Sequence, residues 1–165
     1  MKYKILKMIG KGSYAEVFLG IDNLLVLRGD PINSETSFTA EKDGHNYASD
    51  LVKQVDGLNN GIYLDDDLRN SSKTNFCMGV AGYPEKHFEA PNMNSDIHFL
   101  KKKIECGAEY IVTQMFFDNQ KYFDFVDAAR AAGIDIPIIP GIKPIAVKRH
   151  LQLLPHIFRI DIPEA

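Results

Sequence analysis

The chain has 165 residues, 45% of them hydrophobic and 25% charged, enough for a single domain with a real core. A net charge of −3 argues against nucleic acid as a main partner, because phosphate recognition calls for a basic field. No apolar stretch approaches the roughly 20 residues of a membrane span, and MKYKILKMIGKGS, with interrupted apolar positions and no small-residue cleavage site after it, does not read as a signal peptide. The two cysteines, Cys77 and Cys106, show no repeated spacing and suit a reducing compartment, where a buried thiol behaves as a small hydrophobe.

Four times a run of strand-forming residues ends abruptly in polar or aromatic groups and a helical pattern follows. The first run is LLVLRGD (Leu24 to Asp30). After it, residues 29–44 carry Pro31, Asn33, Ser34 and Ser37 and read as a long loop, and NYASDLVKQV (46–55) reads as a short helix with Tyr47, Leu51 and Val55 at i, i+4 and i+8. Residues 56–75 are turn-rich, with an acidic run Asp65-Asp66-Asp67 that reads as solvated loop. The second run is CMGVAGYPEKH (Cys77 to His87). Its helix is signalled by Ser95 and Asp96 as N-cap candidates, by Ile97, Leu100 and Ile104 at helical spacing, and by Gly107 as a stop. YIVTQMFF (Tyr110 to Phe117) leads to a helix over 118–132 with Tyr122, Val126 and Ala129 on one face and Gly133 after it. IPIIPGIKP (Ile136 to Pro144) ends in a Pro-Gly turn, and 146–154 forms a last helix before Pro155.

Strands alternating with helices of about 10 to 15 residues imply an α/β fold with a parallel sheet and right-handed crossovers. Four units are too few to close an eight-stranded barrel, which takes about 250 residues. An open four-stranded sheet and a partial barrel both satisfy the pattern.

In either arrangement the C-terminal ends of parallel strands share one face, so Arg28, Asp30, Tyr83, His87, Gln114 and Lys143 are candidates for a single site. Arg28-Gly29-Asp30 sets a fixed cation and a carboxylate around a glycine that lets a ligand approach the backbone, although a surface RGD loop satisfies the same triplet. GYPEKHFEA gathers Tyr83, Glu85, His87 and Glu89, but no second histidine stands in helical register, and no metal is read from it. Gln114 interrupts an apolar strand with an amide that both donates and accepts.

Taken in order, LRGDP, YASDLV, GVAGYPEKHFEA, ECGAEYIVTQMFFD and GIDIPIIPGIKPI resemble the methylenetetrahydrofolate reductase family in its bacterial single-domain form, from about Gly20 to the C-terminus. The resemblance implies a cytoplasmic FAD-containing (β/α)8 barrel of one-carbon metabolism. NADH or NADPH reduces its flavin, and 5,10-methylenetetrahydrofolate then takes the hydride at the same flavin face to give 5-methyltetrahydrofolate. Residues 20–165 would then be a partial TIM barrel of about four central β/α units. By resemblance, Arg28, Gly29 and Asp30 match a flavin-contacting motif, with Asp30 near flavin and folate, where its charge tunes reactivity. Tyr47 with Ala48, and Tyr83, His87 and Ala90, match cofactor contacts, and Asp96 a further polar contact. Lys102 and Lys103 match basic residues on the flavin's phosphate side, though a solvated helix face also suits them, and Gln114 matches a glutamine shared by folate and nicotinamide.

The chain also departs from the family. Phe99, His150 and Leu154 stand where other members have different ligand-contacting side chains. The resemblance places a proton-donating glutamate at the end of the family's first strand, and no matching motif occurs here. The first three strands and the eighth are expected to be absent, with weak or no turnover by this chain alone and homo-oligomers favoured by exposed strand edges. A non-catalytic half-barrel that self-associates is the alternative. YKILKMIGKGSYAEVFLGID resembles instead the glycine-rich loop of a protein kinase, with Gly10, Gly12 and Val17 and with Ala15 in the third glycine's place, but no VAIK, HRD or DFG follows. Residues 1–19 are therefore expected to be foreign to the family, joined near LGID (Leu19 to Asp22) in a chimeric or truncated gene.

Overall fold

The computed structural model describes residues 22–29, 38–42, 44–65, 67–68 and 70–163. The kinase-like segment, Asp30 and the start of the long loop lie outside them. Strands and helices alternate: β1 (Asn23–Val26), α1 (Ala48–Asn59), β2 (Cys77–Gly82), α2 (Met93–Glu105), β3 (Tyr110–Thr113), α3 (Asn119–Ala131), β4 (Ile138–Ile139) and α4 (His150–Phe158). The strands form one parallel sheet in the order β1-β2-β3-β4.

Register decides what the sheet buries. Val26, Val80, Ile111 and Ile138 stand side by side across the strands. Against that row pack Val52 and Val55 of α1, Ile97 and Leu100 of α2, and Phe125 and Ala129 of α3, in one cluster. Helices α1 to α3 therefore share one face of the sheet. Gly82 makes room for α3: a Cβ there would lie 2.7 Å from Ile111 Cγ2 and 2.8 Å from Phe125 Cζ. Consecutive strand order with the helices on one side is the arrangement of successive units in a barrel wall. A doubly wound sheet instead reverses its order at a switch point.

Side chains alternate along a strand, so the intervening residues face the other way. Leu25, Leu27 and Ile139 are 46%, 51% and 46% exposed there. Tyr110 lies across Gly79 on this face, where a Cβ would meet the ring at 2.2 Å, and its hydroxyl donates to the Leu24 carbonyl at 3.0 Å.

Several boundaries differ from the sequence pattern. The Asn92 side chain accepts the Ser95 N–H at 2.9 Å, so α2 begins at Met93, and Ser95 and Asp96 fall in its first turn rather than at its cap. Helix α1 starts after Tyr47 and runs through Gly57 to Asn59. Strand β4 is only Ile138–Ile139, because Pro137 and Pro140 on either side have no N–H to give a ladder. Helix α4 runs through Pro155 instead of stopping before it and ends at Arg159 in a left-handed conformation. Gly107 and Gly133 do close α2 and α3, with φ of 116° and 78° that suit glycine. No described helix is long and apolar enough to cross a membrane.

Candidate functional site

The site is built on the loop that follows β2. Past Gly82 the chain turns, with the Lys86 N–H donating to the Tyr83 carbonyl at 3.0 Å and the Ala90 N–H to the His87 carbonyl at 3.0 Å. This brings the Tyr83 and His87 rings edge to face, their centroids 4.7 Å apart. Helix α2 secures the loop from beneath, where the Asp96 carboxylate accepts the His87 N–H at 2.8 Å. Lys103, about two helical turns further along α2, donates from Nζ to the Ala81 carbonyl of β2 at 3.2 Å and lies 5.9 Å from the Tyr83 ring centre.

Burial governs the charges. It raises the Asp96 carboxyl above its ordinary value, against the His87 N–H and the Lys103 ammonium, which favour the carboxylate. It lowers Lys103, with Asp96 pulling the other way. It also lowers His87, opposed by Glu89 and Asp96, so the neutral imidazole is favoured. A buried carboxylate and a half-buried ammonium thus support each other beside a histidine whose neutral form is favoured.

Arg28 joins from the end of β1. Its guanidinium donates to Glu89 Oε2 at 2.7 Å and stacks over the Phe38 ring at 4.8 Å. The same Glu89 oxygen lies 3.9 Å from His87 Nδ1, which itself accepts the Glu89 N–H at 3.2 Å. Gln114, just past β3, donates its backbone N–H to the Gly82 carbonyl at 2.8 Å, and its Oε1 accepts the Met115 N–H at 2.9 Å.

Arg28, Tyr83, His87, Asp96 and Lys103 therefore come together, Gln114 is tied to the root of the same loop, and Ala90 is buried at its far end. Others do not join by any contact among the described residues. Tyr47 caps α1 and is 63% exposed, with Ala48 beside it. Lys102 turns its amine over the Phe99 ring at 5.6 Å on the exposed side of α2. Gly29 and Lys143 are exposed, and Asp30 lies outside the described residues. The bridging role of Glu89 escapes the sequence pattern, where it stands only as a possible metal ligand. Its signal was modest: a carboxylate two positions after His87 and of opposite charge to Arg28. Among the described residues no group of three or more His, Cys, Asp or Glu side chains could hold a metal ion.

A parallel β/α sheet with cations, an imidazole and a buried carboxylate gathered at its C-terminal strand ends has the arrangement in which barrel and open-sheet enzymes place their sites. The methylenetetrahydrofolate reductase family model matches residues 6–165. Methylenetetrahydrofolate reductase 2 of Saccharomyces cerevisiae is 41% identical over 147 residues, 88% of this chain and 22% of that protein. Methylenetetrahydrofolate reductase 1 of Schizosaccharomyces pombe is 44% identical over 126 residues, 76% of this chain and 19% of that protein. Methylenetetrahydrofolate reductase (NADH) 1 of Arabidopsis thaliana is 38% identical over 77% of this chain. A solved protein of Clostridium thermocellum, described as binding two copies of 5-methyl-5,6,7,8-tetrahydrofolic acid, aligns over 81% of this chain and 43% of that one with a TM-score of 0.48 at 19% identity. The chain belongs to the methylenetetrahydrofolate reductase family. It spans about a fifth of the length of the curated relatives it matches.

Proposed function

We propose that the strand-end cluster serves flavin-dependent reduction of 5,10-methylenetetrahydrofolate to 5-methyltetrahydrofolate with NADH or NADPH as reductant. The observation that carries this reading is the convergence of Arg28, His87, Asp96 and Lys103 on one loop in a chain of this family. The relatives' names support a nicotinamide reductant, NADH for the Arabidopsis protein and NADPH for the Caenorhabditis elegans one.

The donor set suits FAD. Arg28 and Lys103 are cations that can offset a pyrophosphate, and their present partners, Glu89 and the Ala81 carbonyl, hold them in place meanwhile. Tyr83 and His87 offer ring surfaces and a neutral nitrogen. Bound there, FAD would supply the hydride-carrying chemistry between nicotinamide and folate. The chain's own residues bind and orient. Asp96 holds the His87 backbone, and Gln114 offers an amide to two different ligands in turn; by the family resemblance Asp30 would contribute a negative charge that tunes the flavin and folate. Gly29, Tyr47, Ala48, Ala90 and Lys102 complete the proposed cofactor contacts.

The test is FAD titration of the purified chain, followed by flavin absorbance and NADH oxidation with menadione as acceptor. Flavin binding that weakens in Lys103→Met and Arg28→Ala is the expected result. A protein that stays colourless at saturating FAD would overturn the reading. It would favour the second one, a self-associating half-barrel without catalysis, for which the exposed Leu25, Leu27 and Ile139 speak.

A further inference from the structure

Glu85 lies in the β2–α2 loop, between Tyr83 and His87, yet takes no part in the cluster described above. Its Oε2 accepts the Asp161 N–H at 2.9 Å, across 76 positions of sequence. Its Oε1 is buried without a hydrogen-bond partner, the sole side-chain atom in that state among the described residues. A buried carboxylate oxygen left unpaired is costly and persists only where the surroundings hold it.

Those surroundings are specific. Ile160, beside Asp161, is 4% exposed, so the segment after α4 is docked. Lys86 and Arg159 are the two described non-glycine residues with positive φ, at 64° and 54°. Both line the cleft in which Glu85 meets Asp161, together with Phe88. Left-handed backbone at two lysine- or arginine-type positions needs tertiary contacts to impose it. The loop is also held by Asp96, which accepts the His87 N–H. Two carboxylates thus tie the loop down, Asp96 to α2 and Glu85 to the chain after α4.

We propose that Glu85 is a positioning residue, whose carboxyl clasps the chain after α4 to the β2–α2 loop and so fixes Tyr83 and His87. The consequence for FAD rests on the function proposed above, whereas the clasp itself does not. Burial raises the Glu85 carboxyl above its ordinary value; the Asp161 N–H and Lys121 oppose the rise, and the Asp161 and Asp118 carboxylates add to it. Lys86 and Arg159 are the remaining charged groups around the cleft. Protonation relieves the unpaired Oε1 of charge and leaves Oε2 on the Asp161 N–H. Because the folded value lies above the unfolded one, the clasp's contribution is full below the unfolded value and declines as pH rises through the folded one.

The experiment follows the His87 ring-proton resonances and the Asp161 amide exchange rate in the full chain. The His87 ring lies 4.7 Å from both the Tyr83 and the Phe88 ring centres, so its resonances report its placement. Glu85→Ala should move them toward unshifted positions and speed Asp161 exchange about tenfold, the loss of one buried hydrogen bond. Asp161→Pro, which removes the donor without touching the loop, should move the same resonances. Glu85→Gln keeps the acceptor and should restore both readings at a fixed pH. His87 resonances unmoved in Glu85→Ala and Asp161→Pro, or Glu85→Gln as disruptive as Glu85→Ala, would overturn the proposal. In FAD titrations Glu85→Ala should weaken binding about tenfold, with rescue by Glu85→Gln; unchanged affinity in Glu85→Ala overturns the positioning role. A wild-type chain that binds no FAD overturns the flavin reading alone, and the His87 resonances still decide the clasp.

Discussion

The two faces of the sheet are made from alternate residues of the same strands, and they end up in different environments. Val26 is 4% exposed, while Leu25 and Leu27 on either side of it are 46% and 51% exposed. On the covered face Gly82 makes room for Phe125 from a helix, and on the open face Gly79 makes room for the Tyr110 ring of the neighbouring strand. Both faces are apolar, as in parallel sheets that are covered on both sides. Apolar composition alone therefore does not tell which face is core. Helices α1 to α3, by their placement, do.

The largest expected effect tests this difference directly. Phe125→Ala should cost about 3–5 kcal/mol in urea unfolding, because its side chain is 1% exposed and leaves a cavity. Leu25→Ala on the open face should cost less than about 1 kcal/mol. Equal losses would break the comparison.

The glycines sharpen it. Gly82→Ala should cost about 1–3 kcal/mol, since the new Cβ meets packed Ile111 and Phe125 at 2.7 and 2.8 Å. Gly79→Ala brings a closer clash, 2.2 Å, but with the far end of a tyrosine that can swing into the open face. Its cost should be near that of the lost Tyr110–Leu24 hydrogen bond, about 1 kcal/mol, with a change in tyrosine fluorescence as the marker.

A smaller effect is expected from pH. Burial holds His87 below its ordinary value of 6.5 in the folded chain. Its contribution to stability is therefore present above the unfolded value and is lost as pH falls through the folded one. Asp96, raised by burial, carries the opposite sign, and its contribution is lost as pH rises through its folded value. The stability gap between wild type and His87→Gln should shrink from about pH 7.5 to about pH 5.5, measured by thermal melts. A gap that widens on acidification would refute the neutral, buried imidazole.

The smallest change in stability should come from Arg28→Ala. Its pair with Glu89 is 20% and 34% exposed, and such pairs contribute about 0–1 kcal/mol. A loss well above that would mean that the open face and the strand-end rim are more tightly coupled than their exposure indicates.

Order and type of the elements were legible in the sequence, because strand and helix periodicities are local and Gly107 and Gly133 mark two helix ends by backbone conformation. The start of α2 was less so, since Asn92 captures the Ser95 N–H that Ser95 and Asp96 had suggested as their own turn to cap. That Arg28, Tyr83 and His87 lie at strand ends also followed from the sequence, as a property of any parallel β/α unit.

What only the tertiary structure decided are the partnerships across long stretches of chain. Arg28 meets Glu89 across 61 positions and Glu85 meets Asp161 across 76, pairings that no local periodicity encodes. It also separated Lys103, whose amine reaches β2, from Lys102, the next residue, because successive side chains on a helix point about 100° apart. The sequence by itself determined which residue types stand at the strand ends. Packing determined which of them touch, because contact depends on strand register and helix rotation, and both are set by the whole sheet.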